Sequence, residues 1–322
     1  IQLIVRDTFL LAPQDKRSLK LIGQLCGVEK VEIAEDEIAD MEYLMHEDRE
    51  AFVQYALRDP EICSKYALQL RALNHEITGK NEVPISLSSI AVKSLLQTWQ
   101  TNGFDRRAVL GKQLVQQDNW NQKHGRNYRN KVEVCVDERL LDEALAKECY
   151  HGGRNEQYFF GAGTPGIWTD YDLAGAYTTA MSVIGIPLWG QSYTSSNVYD
   201  FNPATLGYAR VEFAFPAGTR FPCLPVRSGS SLIFPLTGES FCCAPEIYLA
   251  HQMGAAIRIK RGVIIPDDKA VRPFHAFVQF AAEKRKQYAK GTLENLTWKE
   301  LANSLYGKTA QGLRNRRCFN AE

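Results

Sequence analysis

The order of predicted elements points to an α+β fold. Three observations carry that expectation. Apolar residues recur at helical spacing through most of the first 115 residues. From about Ile167 to Pro266, extended runs are broken by Gly, Pro and Ser, as strands and turns require. Two strongly helical stretches then follow. Helices and strands are thus grouped, helix-rich, then β-rich, then a helical hairpin, which is the α+β pattern.

Taken in order, Ile1–Val5 reads as a buried strand, so the chain is expected to start inside a domain. Residues 17–26 have helical spacing, with Leu19, Leu21, Ile22 and Leu25 apolar. Residues 29–50 are acidic and expected at the surface. Residues 48–78 read as one long helix or two, with Pro60 suited to the first turn of a second helix. Residues 84–115 look helical. Residues 117–131 (QDNWNQKHGRNYRNK) are polar and basic with no apolar period, and are expected to be a linker. Val132–Val136 alternates like a strand, and 139–148 reads as a short amphipathic helix. Strands are expected at 167–173, 208–214 and 257–265. A helix is expected over 245–253, opened by Pro245 and closed before Gly254, and two more over 272–290 and 297–310.

The chain of 322 residues is 45 % hydrophobic, enough to bury cores for two or three domains. Net charge is +1, but it is unevenly spread. Residues 1–80 carry 10 Lys+Arg against 15 Asp+Glu, whereas 271–322 carry 10 against 4, so the second segment is a candidate polyanion surface. The eight cysteines form no CxxC pair, which argues against a zinc site and for reduced thiols in an intracellular, cytoplasmic setting. Nothing approaches the run of about 20 apolar residues that a membrane helix needs.

Four short segments could carry chemistry. In Lys299-Glu-Leu-Ala-Asn303-Ser-Leu-Tyr306-Gly307, Lys299, Asn303 and Tyr306 fall on one helix face. A cation, an amide and a ring together suit a nucleoside triphosphate, although a surface lysine beside a half-buried tyrosine looks the same. In Tyr171-Asp172-Leu-Ala-Gly-Ala-Tyr177, an aspartate ending an apolar strand could hold a hard cation. Tyr150-His151-Gly152-Gly153, 22 residues before Asp172, would let a nucleic-acid backbone approach closely. Tyr55 and Asp59 place a phenol and a carboxylate at i and i+4. Arg285 and Lys286 lie just before the Lys299 helix.

Together these segments resemble family B DNA polymerases of the protein-primed, organellar and viral type. K-x-x-x-N-S-x-Y-G matches the family's fingers helix at every fixed position. Asp172 and Tyr177 match its palm motif D-x-x-S-L-Y-P, whereas Gly175, Ala176 and Thr178 depart from it. Tyr150, Gly152 and Gly153 match Y-x-G-G, and Tyr55 and Asp59 match the last exonuclease motif. The resemblance implies a right-hand polymerase palm with an antiparallel sheet and helical fingers, preceded by part of an RNase H-like 3′–5′ exonuclease. The expected divisions are 1–116 for the exonuclease remnant and connecting helices, 117–131 for the linker, 132–267 for the palm with an insertion, and 268–322 for the fingers. It implies template-directed DNA synthesis with Mg²⁺ or Mn²⁺ in a two-metal site, acting on a DNA primer–template and deoxynucleoside triphosphates, with a terminal protein as a further partner. Asp172 and Lys299 would be catalytic. Tyr177, Arg285, Lys286, Lys299, Asn303, Tyr306 and Gly307 would bind nucleotide, and Tyr150, Gly152 and Gly153 would bind DNA. Asp172 and Asp59 would be metal ligands, and Tyr55 and Asp59 would belong to the exonuclease. No D-T-D motif occurs, so the chain is expected to be an internal fragment that is inactive alone. The alternative is a non-catalytic nucleic-acid-binding protein that keeps the palm and fingers as a scaffold.

Overall fold

The structure, a computed structural model, describes residues 5–34, 38–173, 175–229 and 231–309. Its helices are α1 Leu19–Cys26, α2 Met41–Glu47, α3 Arg49–Thr78, α4 Leu87–Thr101, α5 Arg106–Leu110, α6 Asp137–Cys149, α7 Ala176–Ser182, α8 Ala244–Gln252, α9 His275–Lys286 and α10 Leu293–Thr309. Its strands are β1 Lys112–Asn121, β2 Arg126–Cys135, β3 Ile186–Pro187, β4 Tyr193–Thr194, β5 Leu206–Ala214, β6 Val226–Ser228, β7 Ser231–Ile233, β8 Thr237–Cys243, β9 Ala256–Ile265 and β10 Asp267–Asp268. The chain divides into two compact units. Among the described residues, one holds the stretches within 5–102, 177–182 and 274–309, and the other those within 103–176 and 183–273.

The first unit is helical. Ser18 starts α1 by accepting from the Leu21 N–H, and Gly27 ends it with φ +67°, a left-handed turn that favours glycine. Asp48 caps α3 in the same way, by accepting from the Ala51 N–H. Helix α3 runs unbroken through Pro60, so of the two readings of 48–78 the single long helix holds. Proline removes one hydrogen bond, but Pro60 and Ala56 are both exposed, and water can satisfy the freed carbonyl. Ile62, Tyr66, Leu70, Leu73 and Ile77 form the buried stripe of α3. They join Leu87, Ile90 and Ala91 of α4, Ala281 of α9, and Leu293, Trp298 and Leu301 of α10 in one core. The last two helices therefore share a core with the first hundred residues, although a separate division at 268 was expected.

The second unit is built on a four-stranded antiparallel sheet in the order β4-β9-β5-β8. On β5, Gly207, Ala209, Val211 and Phe213 alternate inward. Helix α8 covers one face with Ala244, Ile247 and Ala250. Leu145 and Cys149 of α6 pack with Val263 and Ile265 of β9. The strands expected at 208–214 and 257–265 and the helix over 245–253 are present within a residue or two.

Three expectations are corrected. Residues 117–131 are not a linker; they form the outer part of a hairpin in which β1 and β2 pair from Lys112↔Cys135 to Asn121↔Arg126. Cross-strand pairing needs no apolar period, so composition alone hid it. The same hairpin ends the helical stretch at Leu110, short of the expected 115. Residues 167–173 are not a strand: Ile167, Trp168, Tyr171 and Leu173 are exposed and take part in no ladder among the described residues. Flanking Gly161, Gly163, Pro165, Gly166 and Gly175 favour irregular backbone there. Of the expected N-terminal strand, residues 1–4 lie outside the described residues, and Val5 is exposed.

Candidate functional site

The sequence motifs fall on three surfaces. On α10, burial of Trp298, Leu301 and Leu305 turns the opposite side of the helix outward. Lys299 and Tyr306 are half-buried there, and Asn303 and Gly307 are exposed. Lys299 Nζ lies 3.9 Å from Asp15 Oδ2, and both side chains are more than a third exposed, so the pair is weak and readily given up. The Tyr306 ring stacks on the Tyr177 ring of α7, with centroids 4.7 Å apart and planes 23° apart. Two motifs 129 positions apart in sequence thus meet within one unit. Arg285 and Lys286 end α9 exposed to solvent. Asn295 Nδ2 donates to the Arg285 and Tyr288 carbonyls and ties α10 to the end of α9.

The second surface is on α3. Tyr55 and Asp59 share a face, as their spacing requires. The structure adds Lys30, whose Nζ lies 3.4 Å from Asp59 Oδ2 and 5.4 Å from the centre of the Tyr55 ring. Asp59 Oδ1 is buried and has no hydrogen-bond partner. A shielded carboxylate oxygen with an open lone pair fits a divalent cation. Lys30 was missed in the sequence because it precedes Tyr55 by 25 positions on a segment without regular structure. Upstream, Arg6, Asp7 and Thr8 hold the chain in place: Arg6 Nε donates to the Val83 carbonyl, and Asp7 accepts from the Phe9 N–H.

The third surface is in the other unit. The Tyr150 carbonyl accepts from Arg227 at 2.7 Å. His151 Nε2 lies 2.9 Å from Glu246 Oε1, and its Nδ1 lies 2.8 Å from the Gly152 carbonyl. Glu246 also accepts from the Cys243 N–H, which closes the first turn of α8. That hydrogen bond to Glu246 is the main reason His151 is held above the usual histidine range. His151 and Arg227 line a 220 Å³ cleft together with Glu148, Val226, Glu239 and Phe241. His151, read from sequence as the variable position of its motif, is the residue that anchors the turn. No spacing rule joins positions 151 and 246. Gly152 and Gly153 are exposed, and a side chain at Gly152 would meet nothing.

Asp172 is exposed on the irregular segment 150–173 and not at a strand end. The described residues contain no cluster of three or more His, Cys, Asp or Glu able to hold a metal. Asp172 fits a cation only as one ligand among others supplied from elsewhere.

The sequence matches the family described as DNA polymerase type B, organellar and viral, over residues 119–320. It is 38 % identical over 324 residues to the primer-independent DNA polymerase PolB of Escherichia coli, covering 98 % of this chain and 37 % of that protein. The fold resembles phi29 DNA polymerase bound to primer–template DNA, with TM-score 0.54, 13 % identity, and coverage of 92 % of this chain and 46 % of that one. A phi29 polymerase ternary complex with primer–template and incoming nucleotide matches with TM-score 0.53 and 13 % identity, over 90 % and 46 % of the two chains. The chain thus spans less than half the length of the polymerases it matches.

Proposed function

The chain belongs to the organellar and viral type B DNA polymerases, and from that premise we propose that it forms part of an enzyme that extends DNA on a template and proofreads the product. The observation that carries this reading is the solvent-facing Lys299, Asn303 and Tyr306 surface with Tyr177 stacked against it. Lys299, freed from Asp15, is positioned to pair with a triphosphate. Tyr306 and Tyr177 offer two flat rings to the base and sugar of an incoming nucleotide. Arg285, Lys286 and Gly307 complete that surface. Tyr150, Gly152 and Gly153 form a turn where a DNA backbone can approach without meeting a side chain at Gly152.

Mg²⁺ or Mn²⁺ would be held by Asp172 for synthesis and by Asp59 for proofreading, and would supply charge neutralisation at phosphoryl oxygens. Tyr55 orients a water at the Asp59 carboxylate, and Lys30 fixes both side chains. The unpaired state of the seven described cysteines accords with a reducing, cytoplasmic setting. The likeness to a primer-independent polymerase of E. coli favours initiation without a separate primer over initiation from a terminal protein. Reactions on template alone, with and without added primer, separate these two.

The deciding experiment is Asp172→Asn in a complete polymerase carrying this sequence. Primer extension should be lost while primer–template affinity holds within about threefold, since one exposed charge contributes little to affinity. Retained extension rejects the assignment. Asp59→Ala should abolish primer shortening and leave extension intact; persistent shortening rejects the exonuclease role.

A further inference from the structure

The β1–β2 hairpin contains none of the motifs described above, yet it has the composition and exposure of a binding element. Ten rungs in register give an arm about 30 Å long at the usual rise per residue. Every residue from 122 to 131 is exposed. A two-stranded ribbon of this kind is marginal in water unless something covers it. Its outer half nonetheless carries two large rings in solvent, Trp120 at 60 % and Tyr128 at 46 % exposure.

The pairing places these rings on neighbouring rungs, since Trp120 faces Asn127 and Asn119 faces Tyr128. Neighbouring rungs point to opposite faces, so each face of the arm carries one ring. Each ring has basic company: Arg129 and Lys131 share the Trp120 face, and Arg126 shares the Tyr128 face. Lys123 sits in the four-residue loop, where Gly125 turns the chain with φ +57°. Asp118 is the single acid between 116 and 131, and it is bound to Arg129 at 2.7 Å. Lys123, Arg126 and Lys131 have no acidic partner among the described residues. The rest of the outer half is amide-rich, with Asn119, Asn121, Gln122, Asn127 and Asn130.

We propose that the outer half of this hairpin is an arm that binds single-stranded DNA, stacking bases on Trp120 and Tyr128 and pairing phosphates with Lys123, Arg126 and Lys131. Charge selects the partner class: four cations against one bound acid complement a polyanion. A membrane would need a broad apolar face, and this ribbon has two isolated rings in an amide surround. The rings select the form of the polyanion, because unpaired bases expose flat faces that a duplex hides. The choice of DNA rests on the polymerase reading above.

The hairpin can be changed without disturbing the body of the unit. Its base is closed by the Val136 N–H donating to the Gly111 carbonyl at 3.0 Å and by Glu133, which pairs with Arg106 and Lys112, so residues 116–131 can be replaced by a short glycine link across the Val115↔Val132 rung. The test measures binding of labelled oligothymidine and of a labelled duplex to this chain by fluorescence anisotropy across a salt series. Four proteins are compared: unmodified, Trp120→Ala/Tyr128→Ala, Lys123→Glu/Arg126→Glu, and the excised form, each checked for an unchanged melting temperature. The ring variant should lose at least about tenfold in oligothymidine affinity and far less for duplex. The charge variant should weaken both and flatten the salt dependence, as fewer counterions are released. The excised form should combine the losses. If the unmodified chain binds DNA and all three variants bind equally well, the arm proposal is wrong and the polymerase reading is untouched. If the unmodified chain binds neither DNA form, the arm proposal falls as well, and the polymerase reading is then judged separately by the Asp172→Asn extension assay.

Discussion

The stack between Tyr177 and Tyr306 makes a quantitative prediction, because it joins two motifs that sequence alone leaves unconnected. The perturbation is a double-mutant cycle on Tyr177→Ala and Tyr306→Ala. Stacked aromatic pairs contribute about 0.5–1.5 kcal/mol beyond the area they bury. At 4.7 Å and 23° the pair is well formed, but Tyr177 is 43 % exposed, which puts its worth in the lower half of that range. The expected coupling is about 0.5–1 kcal/mol, with each single truncation costing about 1–2 kcal/mol. Urea unfolding is the assay, followed by the blue-shifted fluorescence of Trp99 and Trp298. Both are buried in the unit that contains the stack, whereas Trp120 and Trp168 are exposed in the other. Independent sites add to within about 0.3 kcal/mol, so a coupling below that value refutes the stack. In a complete polymerase, Tyr177→Val should relax discrimination between ribo- and deoxyribonucleotides; unchanged discrimination rejects the ring as the sugar contact.

The other predictions concern single residues. Lys299→Ala should raise the nucleotide KM of a complete polymerase about tenfold or more, the scale of one lost charge-assisted contact, with stability unchanged because its pair with Asp15 is exposed; an effect on template affinity alone rejects the role. The Tyr66 hydroxyl donates to the Leu11 carbonyl at 2.8 Å in a fully buried site, so Tyr66→Phe should destabilise its unit by about 1–3 kcal/mol, and an unchanged unfolding midpoint refutes the bond. His151, raised chiefly by its hydrogen bond to Glu246, should stabilise the fold fully below its unfolded pKa and lose that contribution as pH rises through the folded value. Arg227 opposes the proton, and Glu148 and Glu239 also face the cleft. Histidine NMR should therefore place His151 above the usual range, and Glu246→Gln should lower it and flatten the pH dependence of melting; no change on that substitution rejects the pair.

Much of the fold was legible along the chain because the signals are local. The helical spacing of Leu19, Leu21, Ile22 and Leu25 marks α1. Pro245 with Gly254 punctuates α8. The fingers string from Lys299 to Gly307 was readable for the same reason: its residues share one helix face whatever surrounds them. What sequence could not decide was set by partners far along the chain. Residues 117–121 and 126–131 became strands because each found a rung opposite, which amide-rich composition does not advertise. Residues 167–173 have the apolar content of a strand, but a strand exists only where a neighbouring edge accepts its hydrogen bonds. Pro60 stayed inside a helix because solvent lies over the carbonyl it leaves free. Lys30 came to Asp59, and Glu246 to His151, through packing that brings distant segments together, and no periodicity encodes such a meeting. Local hydrogen bonding and side-chain spacing thus determined the elements and their chemical faces. Only the tertiary structure decided which charges, rings and strands would meet, because those contacts depend on how buried apolar stripes are shared between segments far apart in sequence.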